Sequence, residues 1–226
     1  TIKPRGAGEI EASNWTLGCE TLDRDFAIYD EYKAYLVPLG IKTIRLQGGW
    51  AKTEKVKGTY DFTWLDTLVD DAKGRGLNIL LETGYGNPAY TGGGGFDLAG
   101  GFPTSEEGLA AWDRWVEAMA KRYKGKVRDW AMWNEPDINK KHKPDDIAAF
   151  NIRTAEIVKR VIPDARIAGL SLASSSPKLF DQCLKALAEK GKVDLFHWFI
   201  YHGYEFNPSK SYQNVEELKK TLAKYS

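Results

Sequence analysis

Residues 129–137 read DWAMWNEPD: apolar and aromatic side chains that end in Asn134, Glu135, Pro136 and Asp137. The run has the composition of a buried strand, which puts Glu135 at a strand tip. A carboxyl backed by aromatic rings is desolvated, and desolvation favours the protonated form that a general acid needs. The adjoining Asn134 amide can hold a substrate hydroxyl more firmly in the transition state than in the ground state. The competing reading is a capping or ion-paired glutamate in a loop.

The elements around this tip alternate. Short β-rich runs at 15–19, 42–47, 77–84, 127–134, 165–172 and 193–202 are each followed by a run of helical period, at 24–39, 62–76, 105–125, 144–163, 176–191 and 214–226. Asp61 is placed to cap the second helix, Ser105 lies at the start of the third ahead of Glu106 and Glu107, and Pro144 opens the fourth. Strands apolar on both faces, in strict alternation with helices, predict an α/β fold with a parallel sheet, either barrel or doubly wound. The first strand-to-helix turn carries no GxGxxG, which removes the main support for a dinucleotide fold. The glycine run 91–101, TGGGGFDLAGG, is too irregular to cradle phosphate and reads as a flexible lid or rim. Loops after strands (48–61, 85–104, 135–143, 203–213) are long and rich in Gly, Asn, Pro and aromatics, so function concentrates at the end of the sheet where Glu135 lies.

At that position and in that context, WNEPD resembles the acid/base signature of the retaining (β/α)8 glycoside hydrolases, closest to glycoside hydrolase family 39 and its relatives. Further residues carry the resemblance: Arg45 in TIRLQ on the second strand, His202 and Tyr204 in YHGY after the sixth, and the stretches GCETLDRDF and GYGNPAY. The resemblance implies a TIM barrel, of which about six β/α units are present. It implies that residues 1–226 are a catalytic domain truncated at its C-terminus. It implies Glu135 as general acid then base, Asn134 on the sugar 2-hydroxyl, Arg45 orienting the nucleophile, and His202 and Tyr204 lining the catalytic subsite. Each has a structural competitor: an ion pair for Arg45, a satisfied strand-end histidine for His202, rim packing for Tyr204. Trp50, Tyr85 and Tyr90 are candidates for stacking on sugar or for core and lid, and Asn87 for binding or for the turn before Pro88. Glu20 reads first as a paired or solvated acid.

The double-displacement reaction needs a second carboxylate about 5–5.5 Å from the first. The resemblance places it after a seventh strand, which six units do not supply. Glu82 and Glu205 do not match that position. The partners expected are therefore an oligo- or polysaccharide and the remainder of the barrel, or a second fragment, pairing with the open sheet edges. The alternatives are a non-catalytic carbohydrate-binding barrel or assembly fragment, and an unrelated α/β-barrel enzyme.

Composition narrows the partners further. Eight Trp, eleven Tyr and nine Phe suit flat sugar faces as well as a core. Lys+Arg 32 against Asp+Glu 31, with no like-charge block, does not indicate a nucleic-acid surface. No apolar run reaches the roughly 18–20 residues of a membrane helix. Cys19 and Cys183 form neither a disulfide framework nor a CxxC metal pair, and no metal or organic cofactor is implied. The first residues do not read as a signal peptide, and a cleaved one would leave no trace. The compartment stays undetermined, with secreted or periplasmic favoured over cytoplasmic.

Overall fold

Each apolar run becomes a parallel strand, and each amphipathic run after it a helix that returns the chain to the start of the next strand. The computed structural model describes residues 5–225; Ser226, at the end of the last predicted helix, lies outside them. The strands are β1 (Thr16–Gly18), β2 (Thr43–Gln47), β3 (Asn78–Thr83), β4 (Asp129–Met132), β5 (Arg166–Leu172) and β6 (Trp198–Tyr201). They form one sheet in chain order, every neighbouring pair parallel. The helices are α1 (Tyr29–Leu36), α2 (Trp50–Thr53), α3 (Thr63–Gly74), α4 (Glu106–Tyr123), α5 (Pro144–Val161), α6 (Pro177–Glu189) and α7 (Pro208–Leu222). This is six consecutive units of a (β/α)8 barrel. Burial follows the topology: β4 is buried throughout, while edge strands β1 and β6 are half-buried or exposed.

Local chemistry sets the helix ends. Ser105 Oγ accepts from Gly108 N at 2.9 Å and Ser176 Oγ from Leu179 N at 3.4 Å, each satisfying one orphan donor of a first turn. Asp61 does not cap α3 directly; it accepts from Thr63 N at 3.0 Å with Phe62 at the cap position.

Four expectations need correcting. The first helix starts at Tyr29 rather than 24, because Leu22–Arg24 is a 3-10 turn and Asp25 takes a left-handed φ of 59°. Residues 50–53 of the loop after β2 form a short helix. Residues 193–195 make a 3-10 turn, so the last strand is only Trp198–Tyr201. The final helix begins at Pro208, six residues before expectation, with Asn207 Oδ1 accepting from Ser209 N at 3.0 Å.

The aromatic side chains pack into one chain of rings behind the strand tips. Trp50 lies 5.6 Å from Tyr90, 5.4 Å from Trp112 and 5.9 Å from Trp115. Trp112 lies 5.5 Å from Trp133, which meets Phe102 at 5.0 Å and Phe150 at 5.4 Å. The cluster grips Trp133, the residue on which the β4 tip turns.

Candidate active site at the strand tips

Beyond β4 the backbone bends through two non-glycine left-handed residues, Trp133 (φ 68°) and Glu135 (φ 49°). Such conformations cost about 1–3 kcal/mol each and persist only where the surroundings over-determine them. Here Trp133 N donates to Thr83 O at 3.1 Å and Glu135 N to Ser171 O at 2.8 Å, stitching the tip to β3 and β5. The Glu135 carboxyl is thereby aimed across the sheet at the end of β6. Its Oε1 lies 2.5 Å from Nδ1 of His202, within hydrogen-bonding distance. His202 is fixed in turn by its own N donating to Leu172 O at 2.7 Å.

A polar network fills the space over β1–β4. Arg45 Nη2 donates to Asn134 Oδ1 at 2.5 Å, Nη1 to Glu20 Oε1 at 2.7 Å, and Nε to Glu82 Oε2 at 3.1 Å, with a second, short contact from Nη2 to Glu82. Glu82 is wholly buried and also accepts from Gln47 Nε2 at 2.9 Å. Burial pushes the Glu82 carboxyl upward, with Arg45 and Gln47 pulling against it. Asn134 cannot flip: its Oδ1 is taken by Arg45, and its Nδ2 donates to the Tyr85 hydroxyl at 2.7 Å. One Nδ2 hydrogen is left for a ligand.

The structure therefore brings Arg45, Tyr85, Asn134, Glu135 and His202 to one face. Arg45 has both the ion pairs expected of its competitor reading and the site position. Tyr204 is highly exposed, its ring 6.3 Å from that of His202. Trp50 does not reach the face: it is completely buried in the aromatic chain, with its indole N–H on Glu54 Oε2 at 2.5 Å. Tyr90 is likewise buried, its hydroxyl on Glu54 Oε1 at 2.5 Å. Asn87 forms a turn: Oδ1 accepts from Ala89 N at 3.0 Å and Nδ2 donates to Glu54 O at 2.8 Å. Glu205 accepts from Asn214 Nδ2 at 2.9 Å.

The glycine run is a packed rim rather than a flexible lid. Gly86 N donates to Gly95 O at 2.7 Å, Asn87 N to Gly93 O at 2.9 Å and Gly95 N to Gly100 O at 3.0 Å. His142 bolts this rim to the loop after β4. Its Nδ1–H donates to Pro136 O at 2.8 Å, its Nε2 accepts from Phe102 N at 3.1 Å, and its ring stacks on Phe102 at 4.0 Å. A cleft of about 1030 Å³ beside the rim includes His142 and Phe102 but neither Asn134 nor Glu135.

Sequence reading passed over Gln47 and Arg24 and left Glu82 unassigned. For Glu82 a signal existed: an acid inside the apolar run LLET must be paired if buried. Nothing in the sequence named Arg45 as its partner. Among the described residues no group of three or more His, Cys, Asp or Glu is placed to hold a metal ion, and no helix is long and apolar enough to cross a membrane.

Known proteins resemble this chain in part. The β-galactosidase model of glycoside hydrolase family 42 matches residues 15–91. The β-galactosidase BgaA of Clostridium cellulovorans is 31% identical over 65 residues, 28% of this chain and 10% of that protein. A monomeric β-xylosidase from Caulobacter crescentus superposes with a TM-score of 0.74 at 20% identity, over 94% of this chain and 50% of its own. The GH39 enzyme of Xanthomonas axonopodis pv. citri gives 0.71 at 20%, over 94% and 48%. The chain thus spans a tenth of the β-galactosidase and about half of each of the two solved structures. It resembles the (β/α)8 glycoside hydrolases in fold along nearly its whole length, and in sequence over its first units.

Proposed function

We propose that this chain carries the acid/base half of a retaining glycoside hydrolase site acting on an oligo- or polysaccharide. One observation carries the reading: Glu135, on a strained strand tip, shares a close hydrogen bond with His202 while Asn134 beside it is locked in one amide orientation. Glu135 protonates the departing glycosidic oxygen, then takes a proton from the water that cleaves the glycosyl-enzyme. His202 holds the carboxyl in the rotamer that faces the bond. The free Nδ2 hydrogen of Asn134 takes the sugar 2-hydroxyl. Tyr204, its exposed ring beside His202, lines the same catalytic subsite.

The attacking carboxylate comes from outside residues 1–226. Glu82 is wholly buried beneath Arg45 and Glu20 is paired to the same guanidinium at the end of β1, so neither stands at the seventh-strand position that the resemblance gives the nucleophile. Two further β/α units between β6 and β1 would complete the barrel and deliver that carboxylate beside Arg45. The same observation favours a second reading: unaided, the chain binds saccharide without cleaving it.

Glu135→Gln is expected to abolish release of sugar from natural glycosides, with a smaller effect on the first step with activated aryl glycosides, whose leaving group needs no proton. Full activity of Glu135→Gln on natural linkages would overturn the assignment. Saccharide binding with no release of reducing sugar by the wild-type protein would select the second reading.

A further inference from the structure

A second feature of the strand-tip face lies over β1–β3. The 3-10 turn Leu22–Arg24 is bracketed by two non-glycine left-handed residues, Thr21 at φ 68° and Asp25 at φ 59°. Backbone strain of this kind survives where something fixes it. Here Gln47 does: its Oε1 accepts from Thr21 N and from Arg24 Nη2, each at 3.1 Å, while its Nε2 is anchored on Glu82. The outcome is a guanidinium held in place, 4.9 Å from the Tyr85 ring centroid and 5.6 Å from that of Phe26.

A cavity of about 310 Å³ opens on this guanidinium, with Phe26, Phe96 and Tyr85 among its walls and Lys52 and Lys55 beside them. Tyr85 joins the cavity to the proposed reaction centre, since its hydroxyl accepts from Asn134. The charges do not cancel. Asp25 is turned onto Lys52, and Asp23 sits 3.4 Å from Arg24 Nε. The cations of the lining, Arg24, Lys52 and Lys55, outnumber its two carboxylates, Asp23 and Asp25. Among the described residues Lys55 has no ion pair and Arg24 Nη1 no protein partner. Two cationic donors, one of them pre-organised, are thus left facing a cavity with exposed aromatic rings at Phe26 and Phe96. Two such donors match the two oxygens of a carboxylate, and the rings match a sugar face.

We propose that this cavity is a subsite for a carboxylated sugar, a hexuronate residue of the saccharide, whose carboxylate is read by Arg24 and Lys55. The inference rests on the saccharide reading above for its ligand class, but not on catalysis. The test is calorimetric titration of the full chain with three oligosaccharides that differ only at the terminal residue: glucuronic acid, glucose, and 6-sulfated glucose. The uronate should bind about tenfold more tightly than the glucose form. That preference should shrink with added salt, vanish in Arg24→Gln and weaken in Lys55→Ala, whose exposed position leaves folding unaffected. Equal binding of uronate and glucose, tightest binding of the sulfated form, no uronate binding at millimolar concentration, or a preference intact in both variants would each overturn the subsite. The two readings fail separately. A uronate preference without turnover removes only catalysis, and turnover of neutral glycosides without the preference removes only the subsite.

Discussion

At the scale of single residues, Arg45 is the hinge of the site. It is the cation that neutralises a wholly buried Glu82 and the donor that sets the orientation of Asn134. Removing one member of such a pair strands the other in a low-dielectric interior, which costs about 3–5 kcal/mol. Arg45→Met is therefore expected to destabilise the protein by about that amount in urea denaturation, and Arg45→Met/Glu82→Leu to recover part of it. A single variant as stable as the wild type would show that Glu82 is uncharged. His142 makes a second prediction. Burial lowers its pKa from the ordinary 6.5, and its Nε2 must stay bare to accept from Phe102 N. The folded state then binds fewer protons than the unfolded, so this contribution to stability is present above pH 6.5 and is lost as pH falls below it. His197 is lowered too, with burial the main cause, so His142→Gln should reduce the fall in melting temperature on acidification without abolishing it. A slope unchanged by His142→Gln would remove the argument. Of this face, the places of Asn134, Glu135, Arg45 and His202 on or just beyond strands were legible because the apolar runs that hold them are local, while the roles given them stay proposals. Glu82 and Gln47 were not, because their meaning lies in partners on other strands, and of the two readings open for Trp50 its burial fits the core.

At the scale of elements, the six units were legible because short apolar runs alternate strictly with longer runs of helical period, even where the strand itself is only three or four residues, as in β1 and β6. The misreadings fall where short-range geometry overrides pattern. NPSKSY begins the last helix through an Asn cap and a Pro in the first turn, a start signal that the polar run concealed. For the glycine run, composition leaves lid and rim both open because it does not report packing. A Cβ at Gly95 would meet Gly100 Cα at 2.2 Å, and one at Gly100 would meet Gly95 Cα at 2.3 Å. These glycines permit backbone to touch backbone. Gly95→Ala should therefore cost about 1–3 kcal/mol, as overpacking does. Gly74, exposed at the end of α3 with nothing within 4 Å of its Cβ position, gives the opposite expectation. Gly74→Ala should stabilise by about 0.5–1 kcal/mol. Thermal or urea unfolding of the two variants side by side checks both signs, and a neutral Gly95→Ala would restore the reading of a loose loop.

At the scale of the molecule, exposed large apolar side chains gather at the two open edges. Trp15, Ile28, Tyr35 and Leu39 lie on or beside β1 and α1, and Phe206 and Tyr212 follow β6 into α7. The other comparably exposed large apolar side chains among the described residues are Val56 and the rings assigned above to saccharide, Phe26, Phe96 and Tyr204. An unpaired strand flanked by apolar side chains is a template for another chain. Either two further β/α units cover these edges or copies of the chain cover them for one another. A sample of these 226 residues alone is therefore expected to associate at micromolar concentration, giving a light-scattering mass above 25.4 kDa. Charges placed at both edges, as in Ile28→Lys/Leu39→Lys/Tyr212→Lys, should shift it toward monomer without loss of helical signal, since all three side chains already face solvent. A wild-type chain that stays monodisperse at 25.4 kDa would mean the edges are protected within a single copy, and the case for a barrel completed from outside would fall with it.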